Sequence, residues 1–266
     1  MRGVSAETLD EVLAAVDGSE GELDLVGDEL FSVTALLDKT APIRRVLTDP
    51  GTEPEARAGI VAAVLAGKVS APTLAILDKA VRGRWSAGRD LTDGLEVAGV
   101  AAHVAAADKA GQLDKMESEL FDAGRIIDAD RELRQTLSDR LIVPAAKASL
   151  VDEIFTGKVS APTVALIRQA TAARTGSFDK VLGIFADEVA ARRSRLLAEV
   201  RSAYELSDSE LQRIAAALGK RYGRDLHLNT IIDPDVVGGI KVSVGGDVID
   251  GTVSSRLEDA RRLIAG

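Results

Sequence analysis

The chain has 266 residues, 46% of them hydrophobic, a formal net charge of -9, no cysteine, two histidines and one tryptophan. That length suits one large domain or two to three small ones. The missing cysteine excludes disulfides and thiolate metal sites, and the acidic balance argues against nucleic acid or an anionic membrane surface as a partner of the whole protein.

In chain order, the first predicted helix covers Ser5–Val16, with Leu9, Val12, Leu13 and Val16 as its apolar stripe. Thr52 and Glu55 have the spacing of a capping box ahead of Ile60, Val61, Val64 and Leu65. Gly67-Lys68-Val69-Ser70-Ala71-Pro72-Thr73 follows. Ser70 is its candidate N-cap, Pro72 sits in the first turn, and Leu74, Leu77 and Val81 continue the stripe. From Gly88 to Ala110 nothing interrupts a helix. The uncharged run inside it, Val97–Ala107, is well short of the roughly 20 residues a membrane span needs. Met1-Arg2-Gly3 leads into an acidic, patterned segment rather than an apolar signal core. Direct membrane insertion is therefore not expected.

The heptapeptide recurs as Gly157-Lys158-Val159-Ser160-Ala161-Pro162-Thr163, an offset of 90 residues. The same offset pairs Phe31 with Phe121, Arg44 with Arg134, Leu47 with Leu137 and Pro54 with Pro144, without a gap. A period this long exceeds the roughly 20–50 residues of solenoid repeats, so it reads as a domain duplication. Ser160 and Pro162 repeat the cap, and Phe178, Val181, Leu182, Phe185 and Val189 make a further stripe. The uninterrupted 88–110 segment is expected to end one bundle and begin the next.

Four features invite a site. Gly67-Lys68 and Gly157-Lys158 suggest a phosphate loop, but Ala62 and Asp152 stand where its first glycine belongs, and valine follows each lysine. His103 and His227 fall on different predicted modules, so neither builds a catalytic or metal cluster, and His103 reads as a helix-surface or packing residue. Arg192, Arg193 and Arg195 form either a solvated face or a dock for an acidic helix. Trp85 either caps a core or anchors a partner. No catalytic, cofactor-binding or metal-binding residue is expected.

The last third has a different pattern. Leu197–Ala203 reads as a strand, and Ser207 and Glu210 have capping-box spacing at the start of a helix bearing Leu211, Ile214, Ala215, Leu218 and Tyr222. Leu226, Leu228, Thr230 and Ile232 alternate onto one strand face, which Asp233-Pro234 ends. After Gly238-Gly239, Ile240, Val242 and Val244 alternate with Lys241 and Ser243. Gly245-Gly246-Asp247 turns the chain into Val248-Ile249, and Asp250-Gly251 closes the hairpin. Thr252 or Ser254 caps a final helix with a stripe of Val253, Leu257, Ala260, Leu263 and Ile264.

The ordered string Asp233-Pro234, Gly238-Gly239-Ile240, Val248-Ile249-Asp250-Gly251 and Arg256-Leu257 resembles the C-terminal signature of the delta subunit of F-type ATP synthases. That family includes the mitochondrial oligomycin-sensitivity-conferring protein. Many relatives carry a basic residue where this chain has Ser243, so a stalk contact made by that basic side chain would be absent or relocated here.

The resemblance implies a mainly α fold: two tandem helical-bundle copies followed by a small α/β module. Residues 1–94 would be an extra bundle, similar to enlarged delta subunits of high-GC Gram-positive bacteria, 95–195 the family's usual bundle, and 196–266 the module. It implies a non-catalytic stator connector without cofactors, held peripherally at the cytoplasmic face of the cell membrane. A groove between the first and fifth bundle helices would take N-terminal segments of alpha subunits, with Leu9, Leu13, Leu74 and Val81 in one copy and Val104 and Val164 in the other. Lys241, Ser243 and Arg256 would meet b-type stalk subunits, and Gly238, Gly239, Ile240, Asp250 and Gly251 would form the structural motif. A free-standing helical adaptor is the rival reading, and an enzyme the third.

Overall fold

Helix starts in the first two thirds of the chain follow its proline and serine punctuation. The computed structural model describes residues 3–139, 141–172, 176–222, 226–234, 236, 238–244 and 247–252, without side chains at 194–197 and 227. Two units are distinguished by their contacts, Met1–Val189 and Ala190–Gly266. The first is helical: α1 (Val4–Asp17), α2 (Leu23–Lys39), α3 (Ala41–Leu47), α4 (Pro54–Leu65), α5 (Ala71–Arg82), α6 (Gly88–Lys109), α7 (Leu113–Ala129), α8 (Arg131–Ser138), α9 (Pro144–Phe155), α10 (Ala161–Thr171) and α11 (Phe178–Leu196), whose last residues belong to the second unit.

The starting positions of α2 to α6 recur 90 positions later as those of α7 to α11. Pro54 and Pro144 open α4 and α9, where a missing N–H costs nothing. Gly67 and Gly157 take left-handed φ of 74° and 77° in the turns that follow. Those Gly-Lys pairs are helix-ending turns, with the Lys68 N–H donating to the Leu65 carbonyl and Lys158 to Phe155, both at 2.9 Å. The capping box expected at Thr52 does not form. Proline is pre-organised for the first helical position, so the N-cap moves to Glu53. Thr52 instead donates to Asp49 at 3.0 Å, and Glu55 reaches Arg82.

The core is organised around α6. Leu91, Leu95, Ala98, Ala101 and Ala102 of that helix pack with Val12 and Val16 of α1, Leu30 and Leu37 of α2, and Leu77 and Val81 of α5. Val100, Val104 and Ala105 are buried as well, so α6 is covered nearly all round, as its uncharged central run requires. The 94/95 boundary read from the sequence falls inside this helix. α6 lies closest along α2, because two glycines let the backbones approach. A Cβ on Gly99 would stand 2.5 Å from the Phe31 ring, and one on Gly27 would stand 2.5 Å from His103.

The second unit continues with β1 (Leu197–Ser202), α12 (Asp208–Tyr222), β2 (His227–Ile232), β3 (Ile240–Val244) and β4 (Asp247–Asp250), and its sheet order is β2-β1-β3-β4. β1 and β2 are parallel with α12 as the crossover, while β1–β3 and β3–β4 are antiparallel. At the start of α12 the Glu210 carboxylate accepts from the Ser207 N–H at 2.9 Å and from its hydroxyl at 2.7 Å, which is the glutamate half of the expected box. Ala198, Val200, Val242 and Val244 alternate inward beneath Leu218 of α12, with Leu226 beside them. The expected inward face of β2 holds only in part. Leu226 is buried and Leu228 half-buried, but Thr230 is exposed and Ile232 is 60% exposed. β2 is an edge strand, and its second half runs past the core that α12 covers.

Candidate partner-binding surfaces

In the first bundle α1 is fastened to the segment after α5 by short polar contacts. Thr8 donates to the Arg84 carbonyl at 2.9 Å and accepts from the Arg84 N–H at 3.0 Å. The Ser5 hydroxyl donates to Asp90 at 2.6 Å and accepts from the Ser86 N–H at 2.8 Å. Gly83 is required at this crossing, since a Cβ there would lie 2.1 Å from Thr8. The seam so formed has a floor of buried Val12, Val16, Leu77 and Val81. Leu9, Leu13 and Leu74 pack on that floor and remain half-exposed. Val81, expected as a contact residue, therefore lies beneath the surface.

The corresponding seam of the second bundle, between α6 and α10, is different. Val104 is 1% exposed and Val164 5%, and neither offers a surface. α2 lies along α6 and also touches α10. His103 is at the heart of that packing. Its Nδ1 is 3.0 Å from Asp24 and its Nε2 3.5 Å from Asp28, the second an ionic distance rather than a good hydrogen bond, while its ring packs on Phe31 at 5.4 Å between centroids. Burial pushes the imidazole toward the neutral form, but Asp24 and Asp28 outweigh it and hold its pKa above the ordinary value.

Each heptapeptide is held by a carboxylate that the sequence pattern alone did not single out. Glu29 accepts from the Ser70 N–H at 2.8 Å, the Ser70 hydroxyl at 2.7 Å and the Thr73 hydroxyl at 2.5 Å. Glu119 accepts the same three donors from Ser160 and Thr163 at 3.0, 2.6 and 2.6 Å. Burial raises the Glu119 pKa, yet the Ser160 and Thr163 hydrogen bonds, with Lys115 nearby, bring it below the usual value. The signal was present: Glu29 and Glu119 stand at the same 90-residue offset as the serines they bind. A second repeated pair caps helix C-termini. Buried Arg57 donates to the Arg82 and Gly83 carbonyls, and buried Lys147 faces the Thr171 carbonyl.

In the α/β module the two glycine-bearing halves of the C-terminal signature meet. Gly238 and Gly239 take φ of 63° and 120°, which side-chain-bearing residues rarely adopt. A Cβ on Gly239 would come within 2.5 Å of the Gly251 carbonyl. The Gly251 N–H donates to the Ile240 carbonyl at 3.0 Å, so the start of β3 is fixed against the end of β4. Asp250 accepts from the Thr252 N–H at 3.0 Å and hydroxyl at 2.6 Å, and these bonds lower its pKa. Lys241 and Ser243 alternate outward from Val242 and Val244 and are half-exposed. Across the strands they neighbour Arg201 and Glu199 on β1 and Asp250 and Val248 on β4. That sheet face is thus polar and carries both signs of charge. Arg256 and the stripe expected from Val253 to Ile264 lie outside the described residues.

Of the remaining candidates, Trp85 is a core residue. It is 8% exposed, its indole N–H donates to the Ala80 carbonyl at 2.8 Å, and its ring fills the space over Gly94. Arg192 and Arg193 are engaged in interactions of their own. Among the described residues no cluster of three or more His, Asp and Glu could hold a metal, and no helix is long and apolar enough to cross a membrane.

Residues 100–264 match the family model described as "ATP synthase delta (OSCP) subunit". The chain is similar to proteins named ATP synthase subunit delta along nearly its whole length. That of Streptomyces griseus is 43% identical, covering 95% of this chain and 94% of the relative. That of Streptomyces avermitilis is 40% identical, covering 99% and 97%. That of Thermobifida fusca is 40% identical, covering all of both chains. With the bundle, the module and its double glycine in place, the chain belongs to the ATP synthase delta (OSCP) subunit family, whose members are structural, non-catalytic subunits of that complex.

Proposed function

We propose that this chain is the stator connector of a proton-translocating F-type ATP synthase. It joins alpha subunits of the catalytic head to b-type subunits of the peripheral stalk, at the cytoplasmic face of the cell membrane. The head must not turn with the rotor, so the joint needs two separate tight interfaces and no chemistry. The seam between α1 and α5 receives an amphipathic N-terminal segment of an alpha subunit by helix-in-groove recognition. The observation that carries this choice is the half-exposed trio Leu9, Leu13 and Leu74 on a fully buried floor, whereas the α6–α10 seam offers no such surface. The polar face of β3, with Lys241 and Ser243, and the final helix with Arg256 receive the stalk.

The test is a pair of pull-downs on Gly239→Val, one with a b-subunit fragment and one with an alpha N-terminal peptide. The valine meets the Gly251 carbonyl, so stalk binding should be lost while peptide binding by the bundle persists. Wild-type stalk binding by a folded variant would show that the double glycine is not needed for the joint. Loss of both activities would overturn the modular assignment.

A further inference from the structure

A cleft of about 570 Å³ opens in the first bundle where the start of α4 approaches the end of α5. Its wall includes Thr52, Glu53, Arg57, Arg82, Arg84 and Trp85. Three guanidinium groups around one cleft are unusual in a chain of net charge -9. Arg82 is neutralised by Asp78 at 2.7 Å and Glu55 at 3.0 Å. Arg57 and Arg84 have no carboxylate partner among the described residues.

Arg57 is the informative group. It is only 4% exposed, yet two carbonyls, of Gly83 and Arg82, are its acceptors among the described residues. Its Nε–H is buried without an acceptor. A buried cation usually has a counter-charge, and a buried donor usually has a partner. Helix α4 also begins at this cleft, with its amino end and the partial positive charge that goes with it. Arg84 is held in place by the two Thr8 contacts to its backbone, which leaves its exposed side chain available to the cleft.

We infer that this cleft is a binding site for a small tetrahedral oxyanion, inorganic phosphate or a phosphate monoester, held by Arg57 and Arg84. Arg84 presents its planar fork of paired donors to such oxygens, and Arg57, whose terminal nitrogens hold the Gly83 and Arg82 carbonyls, adds its positive charge and its Nε–H. Ninety residues on, Arg84 recurs as Arg174 and Arg57 becomes Lys147, but Thr52 and Glu53 become Ile142 and Val143, so only the polar wall at the start of α4 is particular to the first copy. Glu53 is the one acidic residue in the wall and favours an anion whose charge sits toward the two arginines.

Trp85 is the only tryptophan of the chain and lines the cleft, so its emission reports occupancy directly. The full chain is titrated with inorganic phosphate and, separately, with glycerol 3-phosphate, against chloride at matched ionic strength. A saturable change with a dissociation constant of about 1 mM or tighter is expected. Arg84→Gln, whose side chain has no hydrogen bond or ion pair among the described residues, should weaken binding at least about tenfold. Arg57→Lys keeps the charge but removes the Nε–H and should weaken it similarly, with native circular dichroism as the check on folding. A response to the ester as strong as to phosphate would identify a monoester site, and a response to phosphate alone would identify a site for the free anion. No saturable response to either, a response matched by chloride, or full binding by Arg84→Gln would overturn the inference.

Discussion

His103 is buried against two aspartates of another helix, so its charge contributes to the joint between α2 and α6. Its folded pKa lies above the ordinary 6.5, so its contribution is full below that value and is lost as pH rises through the folded one. Asp28 is held below its ordinary 3.8, chiefly by His103, and contributes above that value until pH falls through the lower folded one. The other charged neighbours are Asp24 on α2 and Arg168 on α10, and Arg168 reinforces the lowering at Asp28. The joint should therefore be strongest between the two titrations. Thermal unfolding midpoints should fall between about pH 6 and about pH 9, and the fall should shrink in His103→Gln. An unchanged slope in the variant would show that the histidine titrates without consequence. Glu119 permits a second measurement at this scale. Glu119→Gln removes a charged acceptor from three donors and should cost about 1.5–3 kcal/mol in urea unfolding. Neither carboxylate clamp stands out within its own helix, because an acidic residue there looks like part of a solvated face until the partner loop folds back onto it; only the 90-residue recurrence of Glu29 as Glu119 marks the pair.

Helices α2 and α7 show what duplication preserved and what it released. Phe31 is buried because Gly99 leaves room for its ring. At the same offset Phe121 is 67% exposed, and Val189 stands in place of that glycine. Gly99→Val should accordingly overpack the α2–α6 contact and cost about 1–3 kcal/mol. Phe31→Ala should cost about 3–5 kcal/mol, while Phe121→Ser should change stability by no more than about 0.5 kcal/mol. Equal effects at the two phenylalanines in denaturant titrations would contradict this reading. Periodicity did place the elements: the Leu9–Val16 stripe, the uninterrupted run from Gly88 and the alternation from Ile240 each became a helix or strand where expected. It could not distinguish half-exposed Leu9 from buried Val104, because exposure depends on which neighbouring helix covers a face. The Thr52 cap failed for a local reason, since the proline two residues later fixed the helix start.

At the scale of the whole molecule, family, fold class and duplication were all legible, because an ordered glycine signature and an ungapped repeat survive without knowledge of packing. The proposed division into 1–94, 95–195 and 196–266 is a question for fragments. Residues 1–94 lack Leu95, Ala98, Ala101 and Ala102, which belong to the core of the first bundle. Circular dichroism should find 1–110 helical and cooperatively melting and 1–94 largely unfolded. A cooperative melt of 1–94 at the same midpoint would establish an independent domain ending there. Because α6 completes one bundle and opens the next, it also sets an order of events during synthesis. At roughly 5–20 residues per second the chain emerges amino end first, and the first bundle stays open until α6 has left the ribosome. Once that bundle closes, α6 is already a formed rod. Assembly of the second bundle then begins on a finished template, with the unfavourable first turn of one of its helices already behind it.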